Sequence, residues 1–236
     1  MIEPVVFLPG MMCDARLFEP QVRAFSATHP VMVAPITNGQ RIEEIASGLL
    51  SHLPQKFALA GLSMGGIVAM ELLRRAPERV TRVALMDTNC LAETPQVAAD
   101  REPQIVKVKS GKLTEVMRDE LKPHYLAPGP NRPAVLQTVM DMAHTLGPEV
   151  FVRQSRALQR RRDQQSTLRK IRQPALVLCG AHDALCPIKR HTFMAELIPH
   201  ARLVVLEDAG HLPTLETPDD TNDALWEWLH QPYVLR

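Results

Sequence analysis

The chain reads as an α/β protein: a mostly parallel open sheet of about six strands, with helices on both faces and a helical cap. Three observations predict this. Short apolar runs alternate along the chain with helical periodicities, the pattern of strands joined by crossover helices. The runs are almost continuously apolar, as strands buried on both faces are. The alternation stops between about residues 92 and 172, where amphipathic pieces are separated by Pro103, Gly111, Pro123, Pro128-Gly129-Pro130 and Gly147-Pro148. A total of 236 residues suits one compact core with such an insertion. The expected division is a core of residues 1–91 and 173–236 and a cap of residues 92–172. An insertion at that point lies over the C-terminal edge of the sheet, where open α/β folds form their ligand crevice.

The elements follow in order. Residues 5–8 form a short apolar strand ended by Pro9-Gly10. Asp14 is a candidate N-cap for a helix carrying Leu17, Phe18 and Val22. Residues 31–36 read as a second strand, with Pro35 near its end and Asn38-Gly39 closing it. Ile42, Ile45, Ala46, Leu49 and Leu50 share one helical face, and Pro54 follows that helix. Residues 57–62 are a third strand that runs into Ser63-Met64-Gly65-Gly66 and a helix over 67–75. Further strands are expected at 80–86, 175–179 and 203–206. A last helix starts at Pro218 with Thr217 as N-cap, burying Leu225, Trp226 and Leu229.

Composition narrows the function. Lys and Arg number 27 against 26 Asp and Glu, so nothing pulls the chain as a whole toward nucleic acid or anionic lipid. No apolar run approaches the roughly 20 residues of a membrane span, and the N-terminus lacks a basic leader. Cys13, Cys90, Cys179 and Cys186 show no metal-ligand or disulfide spacing, which fits reduced thiols in a cytoplasmic protein. With 4% aromatic residues and 11 methionines, an aliphatic and thioether-lined pocket is expected in place of an aromatic one.

Gly61-Leu62-Ser63-Met64-Gly65 is a G-x-S-x-G pattern between a strand and a helix. A sharp strand-to-helix turn exposes the central side chain, and glycines on either side remove Cβ atoms that would clash. The helix N-terminus offers free N–H groups to a developing oxyanion. Ser63 is therefore the candidate nucleophile and the Met64 N–H one oxyanion donor. A second donor must come from another loop. The turn Pro9-Gly10-Met11-Met12 supplies the Met11 N–H, with Met12 a candidate substrate contact.

Of nine histidines, His211 follows the last strand in Gly210-His211-Leu212-Pro213 and so overhangs the same edge as Ser63. His182 reads as a loop residue, and His124 and His144 as cap-surface residues. The acid candidate is Asp183 in Gly180-Ala181-His182-Asp183. Asp87, at the end of the fourth strand, is its rival, although Asp87-Thr88-Asn89 also reads as a structural turn.

At these residues the chain resembles the α/β-hydrolase superfamily, with its triad order of Ser, Asp, His. The resemblance runs from Phe7-Leu8-Pro9-Gly10 to Gly210-His211-Leu212-Pro213 and looks nearest to small bacterial esterases, enol-lactonases and carbon–carbon bond hydrolases with a helical cap. It implies Ser63 as nucleophile, His211 as base, Asp183 as acid, and Met11 and Met64 as oxyanion donors. Two departures stand out. Many relatives carry His-Gly where this chain has Pro9-Gly10, but the donor is one residue later. Relatives also usually begin with an antiparallel strand pair, so here the sheet is trimmed at that edge or covered by another copy of the chain, a homo-oligomer. Serine at the elbow argues against dehalogenase and epoxide hydrolase chemistry, which use aspartate there.

The reaction this implies is two-step acyl transfer on a small-molecule ester, with no metal or organic cofactor. Thioesterase, lactonase, C–C hydrolase and perhydrolase chemistry use the same triad, and a ligand receptor can retain the fold. The arginine-rich stretch from Arg153 to Arg172, with Arg160 and Arg161 at its centre, reads as a solvated helix face. Its rival reading is a site for a carboxylate- or phosphate-bearing substrate, such as a coenzyme A thioester, or for nucleic acid. The near-zero net charge favours a small uncharged ester.

Overall fold

The computed structural model describes residues 2–121 and 125–233. Pro123 and His124 lie outside them. Six strands form one sheet in the order β2-β1-β3-β4-β5-β6, every neighbouring pair parallel. They are β1 (Val5–Leu8), β2 (Val31–Val33), β3 (Phe57–Leu62), β4 (Val80–Met86), β5 (Ala175–Gly180) and β6 (Arg202–Leu206).

The continuous apolar runs have the expected cause. Val5 and Phe7 of β1 pack with Ala58, Ala60 and Leu62 of β3 on one side of the sheet. Val6 and Leu8 pack with Phe57 and Leu59 on the other. Alternate side chains thus enter two separate cores, and both must be apolar. The first core is closed by α1 (Glu19–Phe25) and α10 (Pro218–Leu229), the second by α2 (Ile42–Leu50), α3 (Met64–Arg75) and α8 (Ile188–Leu197).

Between β4 and β5 the described chain is helical. It holds α4 (Pro95–Lys109), the single turn α5 (Leu113–Glu115), a π turn over Val116–Leu121, α6 (Arg132–Gln159) and the short α7 (Gln165–Leu168). Gly147, at φ +78, kinks α6 ahead of Pro148, as the Gly-Pro pair led one to expect. Pro103 does not interrupt α4. Both Pro103 and Ala99, whose carbonyl loses its partner there, are exposed, so water can satisfy that carbonyl.

Other expectations need correction. β2 stops at Val33, three residues early, because Pro35 offers no N–H to extend the ladder. In α10 the buried tryptophan is Trp228, while Trp226 is 44% exposed and stacks on Phe25. Leu225, Trp228 and Leu229 stand three and four residues apart on one helical face, and position 226 lies off it. Thr217 does not cap α10 with its side chain. Its N–H bonds back to Pro213 in the turn of α9 (Pro213–Glu216), which leaves Thr217 Oγ1 without a partner among the described residues. Asp14 does act as a cap, accepting the Arg16 N–H at 3.0 Å, but on a single 3₁₀ turn that precedes α1.

All four cysteines are free. No helix of the described residues is long and apolar enough to cross a membrane.

Candidate active site

The strand order reverses beside β1: β1 lies between β2 and β3, and every later strand adds beyond β3. Such a switch point opens a crevice at the C-terminal strand ends, because the connections on either side leave in opposite directions. The turn after β1 carries Met11, and the turn after β3 carries Ser63. The crevice therefore brings these two loops together, and the ideal Cβ position of Gly10 lies only 3.4 Å from Ser63 Cβ.

Ser63 sits at φ +54, ψ −117, a strained conformation for a residue with a side chain. Neighbouring contacts hold it there. Its N–H donates to Met86 O at 2.8 Å, and its carbonyl accepts the Thr88 hydroxyl at 2.7 Å. The tight crossing of β3, β1 and α3 allows no side chain at the flanking glycines. A Cβ on Gly61 would stand 2.4 Å from Gly65 O, and one on Gly65 would stand 2.0 Å from Leu8 O. Both obstacles are backbone and cannot rotate away. Gly65→Ala is thus expected to destabilise the fold by about 3 kcal/mol or more, read as a lowered denaturation midpoint. A wild-type midpoint would mean that α3 can shift away from β1.

The side chain of Ser63 meets His211, whose Nε2 is 2.9 Å from Ser63 Oγ. His211 Nδ1 is 2.8 Å from Asp183 Oδ2. The second oxygen of Asp183 accepts the N–H groups of Leu185 and Cys186 at 2.8 and 2.9 Å. Burial pushes the Asp183 carboxyl up, but the neighbouring His211, together with those two N–H groups, outweighs it and holds the group below its ordinary value. Asp183 is thus a carboxylate, oriented on one edge by backbone and on the other by imidazole.

Asp87 lies beside Asp183 but does not bond to His211. Its Oδ1 accepts the Gly180 N–H at 3.0 Å, and its Oδ2 is buried with no partner among the described residues. Burial and the Asp183 charge push its carboxyl well up, which favours a neutral acid. The following loop braces the elbow from behind. Thr88 packs against Gly66, and its N–H donates to His191 Nε2 at 3.0 Å. Burial brings His191 down to about 4, so this imidazole is neutral and able to accept.

Met64 and Met11 both line the cavity in front of Ser63, and neither N–H has a hydrogen-bond partner among the described residues. Met12 is placed differently. Its side chain is fully buried in the core and forms no part of the cavity wall. At φ +56 it turns the chain so that its own N–H donates to Gln154 Oε1 at 2.8 Å. Gln154 Nε2 bonds in turn to Ile36 O, so α6 pins the turn that presents Met11.

The cavity has a volume of about 570 Å³. Its wall joins the two methionines, Ile67, Leu91, Val97 and Leu158 to a polar region containing Glu93, Arg101, Arg161 and Arg190. The arginine-rich stretch is therefore not one solvated face. Arg153 donates to Thr37 O, Arg156 pairs with Glu102, and Arg161 turns inward onto Glu93. Cys186 also reaches the wall, but burial and the Asp183 charge push its thiol well up, so it is no rival nucleophile.

Sequence reasoning missed several supports. Glu216 accepts the N–H groups of Gly210, Leu212 and Ala127 at 2.7–3.0 Å and so fastens the His211 loop to the insertion. Tyr125 O accepts the His211 N–H, and its ring lies 5.4 Å from the imidazole. Gln154 and His191 had no motif to mark them. Of the other histidines, His182 is exposed in the loop beside Asp183, and His144 contacts Thr114 at the surface.

Comparison with known proteins agrees with this architecture. The model described as the alpha/beta hydrolase family matches residues 5–224. A pimeloyl-acyl-carrier-protein methyl ester esterase from Aromatoleum aromaticum is 29% identical over 197 residues, 77% of this chain and 77% of that protein. A thermophilic esterase from Thermogutta terrifontis superposes with a TM-score of 0.90 at 28% identity, covering 98% of this chain and 91% of that one. The enol-lactonase from Burkholderia xenovorans LB400 superposes at 0.87 with 24% identity, over 98% and 92% of the two chains, a likeness of fold alone. With the family match running from β1 into α10, the chain belongs to the alpha/beta hydrolase family.

Proposed function

We propose that the protein is a serine hydrolase of small carboxylic esters, working through an acyl-enzyme. The observation that carries this reading is the hydrogen-bonded row Ser63–His211–Asp183 on a cavity also lined by Met11 and Met64, whose N–H groups have no partner among the described residues. Two relatives whose names include esterase, from Aromatoleum and Thermogutta, support the class of reaction.

In this reading His211 Nε2 removes the Ser63 proton as Oγ attacks the ester carbonyl. The Met11 and Met64 N–H groups, both without a partner among the described residues, receive the oxyanion. The imidazolium is stabilised by Asp183 and then protonates the departing alcohol. Water attacks the acyl-enzyme by the same route, and the acid leaves with Ser63 regenerated. No metal or organic cofactor takes part in these steps.

The test is labelling with a fluorophosphonate, combined with a panel of short esters that includes one thioester and one lactone. Ser63 is expected to carry the label, and a simple ester is expected to turn over fastest. Absence of label at Ser63 with no turnover of any member would overturn the reading and favour a ligand receptor on this fold.

A further inference from the structure

We propose that the active-site cavity contains an anion-binding subsite formed by Arg161, Arg190 and Arg101, and that the preferred substrate is an ester carrying a second, anionic oxyacid group. This rests on the ester-hydrolase reading above and specifies its substrate class.

At the centre of this wall is Glu93, whose side chain is only 1% exposed. Arg101 grips it with Nε 3.0 Å from both carboxylate oxygens and Nη2 2.6 Å from one. Arg161 shares the same carboxylate at 3.4 Å, and its Nε donates to Leu91 O at 3.0 Å. One buried carboxylate therefore faces two guanidiniums. Arg190 and Lys189 complete the cationic wall, and neither side chain has a hydrogen bond or ion pair among the described residues. Of the described residues lining the cavity, four carry positive charge and one carries negative.

Glu93 offsets one of these four positive charges and leaves the rest without a counter-charge in the cavity wall. Arg161 has a side chain only 12% exposed, so water screens it poorly. Burial pulls its guanidinium down, and Arg101 and Arg190 add repulsion against the attraction of Glu93. Burying like charges together costs stability unless a counter-charge completes the site. Glu93 fixes two of the forks in place, which leaves donor edges oriented before any ligand arrives. An anionic oxyacid group that offers two oxygens suits such edges through paired charge-assisted hydrogen bonds. None of these cations bonds to Ser63, His211 or Asp183 among the described residues, so the anion they would hold is not the reacting carbonyl. The near-zero net charge of the chain conceals this concentration, because 26 acidic residues offset 27 basic ones over the chain as a whole.

Carboxylate and phosphate share the required chemistry, and the test separates them. Monomethyl esters of straight-chain dicarboxylic acids, the matching dimethyl diesters, and a methyl ester ending in a phosphate are compared by kcat/KM. The best anionic ester is expected to exceed its neutral counterpart by about ten-fold or more, the worth of one good charge-assisted contact. The better of the two anions identifies the source. In Arg190→Gln and Arg161→Gln the ratio should fall to within about two-fold of unity, while in Arg169→Gln, an exposed site outside the cavity, it should stay at the wild-type value. A wild-type enzyme with no preference, or a preference that survives both substitutions, overturns the proposal.

Calorimetric binding of adipate and of inorganic phosphate to Ser63→Ala supplies a readout independent of turnover. Binding that disappears in Ser63→Ala/Arg190→Gln supports the subsite even if no ester is hydrolysed, in which case only the hydrolase reading fails. Ester turnover accompanied by neither binding nor preference removes the subsite alone.

Discussion

Ser63→Ala should lose about 10⁵- to 10⁶-fold in kcat for ester hydrolysis while folding as the parent does. Both halves of this expectation come from the elbow. The contacts that hold the strained backbone are the Ser63 N–H to Met86 O and the Thr88 hydroxyl to Ser63 O, and neither uses the serine hydroxyl. Alanine keeps a Cβ in the same place, so the strain at φ +54 is unchanged. What disappears is the hydroxyl that stands 2.9 Å from His211 Nε2. A residual rate over water should persist, because the Met11 and Met64 N–H groups still favour the oxyanion. Rates on a methyl ester, with a thermal midpoint measured alongside, give the result. Wild-type turnover in this variant would remove Ser63 as nucleophile, and a collapsed midpoint would point to a structural role for the hydroxyl.

Residues whose roles are set locally were legible in the sequence. Ser63 is readable because the elbow needs a strand, a helix and small flanking residues within a few positions, and all appear in one short stretch. The strands 57–62 and 80–86 were readable to the residue, the first because its apolar run is unbroken and the second because Thr81 and Arg82 stand near its start, ahead of the buried run Val83–Met86. The start of α3 at Met64 was not, since Gly65 and Gly66 are poor helix formers and only the crowding of Gly65 against Leu8 O and of Gly66 against Thr88 demands them. Tertiary pairing decided the rest. Arg161 looks like its neighbours in a basic stretch, and only the approach of Glu93 turns it inward. Met12 looks like Met11, yet one left-handed residue sends its side chain to the core. Gln154 and Glu216 sit in plain helical sequence, and each reaches a backbone group far away in the chain, at Met12 and at Ala127.

Asp183→Asn is expected to lower kcat by about 10⁴-fold, and Asp87→Asn to leave it within about three-fold of wild type. An amide at position 183 cannot stabilise the imidazolium. If its NH₂ faces His211 Nδ1, it also favours the wrong tautomer. At position 87 an amide oxygen still accepts the Gly180 N–H, and the NH₂ replaces a group already neutral. The two variants should also separate in stability against pH. A carboxyl raised in the folded state contributes stability below its unfolded value of about 4 and loses it as pH climbs toward the folded value. Asp87→Asn removes that dependence, so it should gain on wild type as pH rises from about 4 to 8. Asp183, held low when folded, has the opposite sign: its contribution is present above the unfolded value and disappears as pH falls through the folded one. Asp183→Asn should therefore show its largest deficit near neutrality and converge with wild type in acid. Denaturant midpoints across this range, taken with initial rates, distinguish the two carboxyls. A rate loss in Asp87→Asn with full activity in Asp183→Asn would exchange their roles, despite the 2.8 Å contact between His211 and Asp183.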